Sequence, residues 1–152
     1  MRRTAAVLAV VALLAAPALS QGKLGVGGSF WMGTPVIDAF VEVSFSEITA
    51  MRFNAGTMFS AGGFSAFTVD ATFLITVELD AFQPYFGAGG GAYIETGGGI
   101  AAGLFTVNAL AGLSLPISEA AGVYIQARFF GFQSGGTFVG YIMPGAGLYI
   151  NF

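Results

Sequence analysis

Five charged residues stand where charge is costly. Asp38, Glu42, Arg52, Asp70 and Arg128 each lie in a stretch whose apolar and polar residues alternate with period two. In a strand that alternation sends successive side chains to opposite faces, and all five charges fall on the face away from the apolar one. Folding the chain about Ser46-Glu47 sets Glu42 against Arg52. Asp70, on the next strand, comes within diagonal reach of Asn54 and Arg52, and Arg128 reaches across from the far wall. Two kinds of chemistry suit such a set: a polar relay or ion path, or a plug whose charges neutralise one another. The plug is the reading adopted, because an enclosed interior must pair its charges in any case. Three carboxylates against two guanidiniums leave one carboxylate to be protonated, hydrated or hydrogen-bonded by Asn54, Thr72 or Asn108.

Most catalytic chemistry is excluded by what is missing. Histidine and cysteine are absent, which removes the usual base for activating serine or water, the thiol nucleophile and the Cys/His zinc site. Asp80, Glu95 and Glu119 fall near turns but lack the spacing of a calcium loop. Gly87-Ala88-Gly89-Gly90-Gly91-Ala92 matches a dinucleotide fingerprint in letters only, since no strand–turn–helix surrounds it. The alternating Gly87, Gly89 and Gly91 are better read as leaving interior room for Tyr85, Tyr93, Trp31 or Tyr124. No basic patch exists, so nucleic acid is not an expected partner. The expectation is a non-enzymatic protein without a cofactor or resident metal.

Composition says what holds these residues. The 152 residues are 55% apolar and only 9% charged, against roughly a quarter charged in ordinary soluble domains. A soluble surface could not be covered with so few ionic groups. Period-two alternation defines eight segments: 23–32, 36–45, 49–59, 67–79, 84–94, 104–115, 123–132 and 138–152. Turns or loops are expected at Gly33–Pro35, Ser46-Glu47, Ser60–Ser65, Asp80–Gln83, Glu95–Gly99, Pro116–Ala121 and Gln133–Gly136, with Pro144 marking a bulge or edge irregularity. Eight segments of this length, each apolar on one face, predict an all-β fold: an eight-stranded antiparallel up-and-down transmembrane β-barrel. A soluble eight-stranded barrel would carry Lys and Glu outside, and a helical membrane protein would need apolar runs of about twenty residues. Val41, Phe53, Phe73, Val107 and Ile125 are expected to face lipid.

The two ends add an address. Arg2-Arg3, the apolar run Ala5–Ala16 and the small residues of Ala18-Leu19-Ser20 read as a secretory signal peptide over residues 1–20, cleaved before Gln21; residues 21–152 form the barrel domain. Losing the two arginines takes the net charge from −3 to −5. At the other end Leu148, Ile150 and Phe152 share one strand face. Gly147-x-x-Ile150-x-Phe152 resembles the C-terminal assembly signal of bacterial outer-membrane β-barrels. Pro84-Tyr85-Phe86-Gly87 and Val123-Tyr124-Ile125-Gln126-Ala127-Arg128 are similar to strands of the OmpA/OmpX type of small barrel. That resemblance implies the outer membrane of a diderm bacterium, export by a Sec-type leader, and lipid as the solvent of the outer face. It also implies the barrel-assembly machinery and periplasmic chaperones as partners during biogenesis. It fixes no activity. The expected role is structural or interaction-based, with a side-chain-filled polar lumen; the alternative is a narrow, weakly cation-selective pore for water, ions or very small solutes. The short loops argue against an adhesin, and no further domain is expected after Phe152.

Overall fold

The computed structural model describes residues 21–59, 65–79, 81–97 and 100–152. The expected leader (1–20), most of the Ser60–Ser65 loop, Asp80, and Gly98-Gly99 lie outside the described residues. Eight strands follow in order: β1 Gly22–Trp31, β2 Thr34–Ser44, β3 Thr49–Phe59, β4 Ser65–Thr76, β5 Gln83–Gly97, β6 Ile100–Pro116, β7 Ala121–Ser134 and β8 Thr137–Asn151. Each pairs antiparallel with its sequence neighbours, and β8 closes on β1. Followed from Lys23 through its successive partners Glu42, Arg52, Thr72, Gly89, Asn108, Phe130 and Tyr141, the path returns to position 33 of the chain, ten residues further on, when the β8–β1 register is extended. With ordinary strand spacings, that offset over eight strands inclines them by about 40° to the axis.

The alternation resolves into an inside and an outside. Leu74 and Phe130 on the inner face are fully buried, whereas Phe105 on the outer face is 75% exposed and Ile142 70%. Val43 departs from the pattern, being buried although its parity is outward. Its partner Gly22 lies beneath the ring of Phe152.

Several boundaries differ from the sequence reading. The first hairpin turns on Met32-Gly33, both with positive φ (50° and 82°), as a two-residue turn that matches strand twist requires; Thr34 and Pro35 already belong to β2. β4 ends at Thr76 although the alternation runs on to Leu79, because backbone pairing finishes with Val77 N–H donating to Pro84 O. β5 and β6 run well beyond Ile94 and Leu104 and pair to Gly97↔Ile100, so Glu95–Gly97 is strand rather than loop. Gln133-Ser134 likewise extends β7, leaving Gly135-Gly136 as the turn.

Pro144 makes no bulge in β7–β8, whose register runs unbroken through Ala127↔Pro144. The irregularity lies on its other side. Gly22 and Phe152 exchange both backbone bonds. By the alternation of antiparallel ladders the next such exchange beyond Gly28↔Ala146 would be Phe30 with Pro144, which has no N–H. The β1–β8 register accordingly stops at Ser29↔Gly145.

The inward glycines of β5 also have a different cause. A Cβ on Gly87, Gly89 or Gly91 would strike the β4 backbone at the carbonyls of Phe73, Ala71 and Val69 respectively. They serve a close approach of two strands rather than room for an aromatic ring.

Candidate functional site

The inner face sorts into three layers along the axis. At the end bearing the β1–β2 turn, Trp31 packs against Tyr93, Phe130 and Tyr141 with ring centroids 5.1, 5.5 and 5.6 Å away. Val36, Met58, Ala66 and Met143 complete this plug of side chains. At the opposite end Phe40 meets Tyr124 edge-on at 5.4 Å, beside Tyr149, and Tyr85 packs with Ala50, Leu74 and Leu110. Asp38, Asp70 and Arg128 lie between these apolar layers; Arg52 packs on the lower aromatic rings, and Glu42, beyond Phe40 on β2, lines the lower mouth with Lys23.

All five charges expected to face inward do so, and each is buried. They divide into two groups. In the first, Arg52 donates from Nη2 and Nε to Glu42 Oε2 at 2.6 and 2.9 Å, and from Nη1 to Gln126 Oε1 at 3.2 Å. Its guanidinium lies over the rings of Phe40 (4.1 Å) and Tyr85 (4.6 Å), and Tyr85 also donates to Gln126 Oε1 at 3.2 Å. A fork held by a carboxylate, an amide and two ring faces has little freedom left.

The second group surrounds Arg128. Its Nη1 donates to Asp70 Oδ2 at 3.3 Å and its Nη2 lies 3.6 Å from Asp38 Oδ1. Ser29 donates to Asp38 Oδ2 at 2.5 Å, and Asn54 donates to Asp70 Oδ1 at 2.6 Å. Thr72 Oγ1 sits 2.9 Å from Asn108 Oδ1 and 3.2 Å from Asp70 Oδ1, with one proton to give. Asp70 is thus tied to Asn54 and Arg128, not to Arg52. One charge escaped the sequence reading. Lys23, at the lower mouth, lies 3.6 Å from Glu42 Oε1 and donates to Gln83. It makes the set three acids and three bases, so no carboxylate is left in formal excess. Its inward parity was visible; its position at a strand end concealed that its long stem reaches the same cluster.

Not every polar atom in the middle layer is satisfied. Asp38 Oδ1, Thr68 Oγ1, Thr106 Oγ1, Asn108 Nδ2 and Arg128 Nε are buried without a hydrogen-bond partner among the described residues. Asp38 Oδ1 and Thr68 Oγ1 both flank the Cα of Gly56, each 2.7 Å from where a Cβ would stand. Buried polar groups of this kind usually hold water.

The three residues of the terminal motif sit at the closing seam. Ile150 pairs with Leu24 and Gly147 with Gly27. A Cβ on Gly147 would meet Val26 O, and Tyr124 Oη at 2.6 Å. Phe152 N–H donates to Gly22 O at 3.0 Å while Gly22 N–H donates to Phe152 O at 2.9 Å.

A closed, eight-stranded, antiparallel barrel with polar contents and an apolar exterior is the fold of small outer-membrane barrels, and the resemblance read from the sequence holds at that level. Solved structures of this fold include the N-terminal β-barrel domain of Pseudomonas aeruginosa OprF, with TM-score 0.69 and 16% identity over 88% of this chain and 98% of that one. Neisserial surface protein A matches with TM-score 0.66 and 13% identity over 87% and 95% of the two chains. The outer membrane enzyme PagL matches with TM-score 0.52 and 14% identity over 87% and 98%. At such identities the likeness is one of fold, and an enzyme among the matches shows that the fold alone sets no activity. No family model and no curated protein matches the chain.

Proposed function

We infer that the chain is exported by its first twenty residues and inserted into the outer membrane of a diderm bacterium as a sealed, non-enzymatic barrel. Its role there is structural or interaction-based. The observation that carries this reading is the filling of the lumen: an aromatic plug above, the buried Asp38–Arg128–Asp70 group beneath it, and the buried Glu42–Arg52 pair packed on the aromatic rings of the lower end. The exterior supports the membrane as its solvent. Ten residues of β1 inclined by about 40° rise about 25 Å, the height of the apolar band of such barrels. Lipid is then the partner of the outer face. The barrel-assembly machinery and periplasmic chaperones are the partners of biogenesis, with Gly147, Ile150 and Phe152 as the sequence they read. Asp38, Glu42, Arg52, Asp70 and Arg128, balanced by Lys23 at the lower mouth, act as a neutralised structural network.

A second reading rests on the unpartnered atoms around Asp38, Thr68, Thr106, Asn108 and Arg128. Water held there would form the middle of a narrow, weakly cation-selective path if the aromatic layers part. Conductance of the refolded protein in a planar bilayer separates the two readings. A sealed barrel gives no steady current; stable, cation-selective unitary steps from the unmodified protein would replace the first reading with the second.

A further inference from the structure

The upper mouth holds a cavity that the sealed-lumen reading does not use. It measures about 320 Å³ and is lined by Trp31, Met32, Thr34, Met58, Ala66, Tyr93 and Glu95, near the lower bound of small-ligand sites (roughly 300–1,000 Å³). Two features of it point the same way.

Glu95 is the first. It follows Tyr93 by two residues on β5, so both share the inward face, and the extended β5–β6 hairpin holds its exposed carboxylate at the rim. It is also the lone charge at that end of the molecule. No Asp, Glu, Lys or Arg occurs in 24–37, 53–69, 96–118 or 129–152, which include every other hairpin tip at this mouth. Opposite charges therefore meet no competing site there, and anions meet only repulsion.

The wall is the second feature. Trp31 and Tyr93, in edge-to-face contact at 5.1 Å, join the thioether-bearing Met32 and Met58. Aromatic faces beside a carboxylate form a surface that favours an alkylammonium over a hydrated metal ion or a neutral hydrocarbon.

We propose that this mouth binds a small alkylammonium, with the cation between Glu95 and the Trp31–Tyr93 wall. The chemistry is that of a primary or quaternary ammonium, whether free in solution or carried as a lipid headgroup. The site stands on the mouth alone and is independent of whether the lumen conducts.

Trp31 is the single tryptophan of the chain, so its emission reports the site directly. The full chain, refolded in non-ionic micelles, is titrated with choline, with the neutral isostere 3,3-dimethylbutan-1-ol, and with choline against Glu95→Gln. Heat-modifiability confirms that the variant is folded. The expected result is a saturable emission change with choline, weaker by about tenfold for the isostere and for Glu95→Gln. The source is then read in bilayers. Loss of the choline response in phosphatidylcholine but not phosphatidylglycerol assigns the site to a headgroup, while equal responses assign it to free solutes. Absence of a saturable response, or equal affinity in wild type and Glu95→Gln, overturns the proposal.

Discussion

Replacing Arg52 by Ala tests whether the lumen is a solid network or a wet channel. Arg52 is 1% exposed, and its loss leaves the Glu42 carboxylate buried with its two short bonds unmade. Breaking one side of a buried pair costs about 3–5 kcal/mol. The lost contacts over Phe40 and Tyr85 add about 1–2 kcal/mol. Lys23 offsets part of this, since it already lies 3.6 Å from Glu42 and its partly exposed stem can move closer; a semi-exposed pair of that kind contributes about 1 kcal/mol. The net expectation is a loss of about 3–5 kcal/mol. Urea titration of the protein in lipid vesicles, followed by Trp31 emission, measures it. Arg52→Met combined with Glu42→Gln should recover much of the loss, because no stranded charge remains. A loss below about 1 kcal/mol for Arg52→Ala, with Glu42 intact, would mean that water replaces the guanidinium at little cost. The sealed interior would then be refuted.

Three further outcomes follow from the wall. Arg at Phe53, Phe73 or Ile125, all exposed on the outer face, should destabilise the barrel in vesicles by about 2–4 kcal/mol; silence at all three would invert the inside–outside assignment. Gly89→Ala places a methyl group against Ala71 O and the Thr72 backbone and should cost about 1–3 kcal/mol, whereas Gly28→Ala, with only Val36 O at 3.5 Å, should change the same urea midpoint little. Phe152→Asp removes the ring that covers Gly22 and puts a charge at the closing seam. It should lower the folded, heat-modifiable fraction in the outer membrane without reducing export, and an unchanged folded fraction would count against the assembly role.

Period two made most of the fold legible. Once Asp38, Glu42, Arg52, Asp70 and Arg128 were assigned to one face, the Glu42–Arg52 pair followed from a single hairpin register. The sharing of Arg128 between Asp38 and Asp70 did not, because it depends on how far the strands are offset around the closed wall, a quantity that no local pattern encodes. The extra length of β5 and β6 was hidden by Gly and Ala, which give alternation no contrast and made Glu95–Gly99 read as a loop. The opposite error came at Val77–Leu79, where alternation continued but no partner strand ran alongside. Gly87, Gly89 and Gly91 were visible as a row, yet their cause is the backbone of a neighbouring strand.

Pro144 gives the wall a direction of weakness. The β5–β6 ladder runs from Gln83↔Ser114 to Gly97↔Ile100, while the β1–β8 ladder stops at Ser29↔Gly145. Above that point β8 is held by β7 alone. A cylinder whose staves are bonded unevenly does not breathe evenly, and its slow opening starts at the shortest ladder. Amide protons from Val139 to Met143 should therefore exchange sooner than their neighbours lower on the same strand. The barrel would part there as a cuff does, along one hem, with the rest of the cylinder intact.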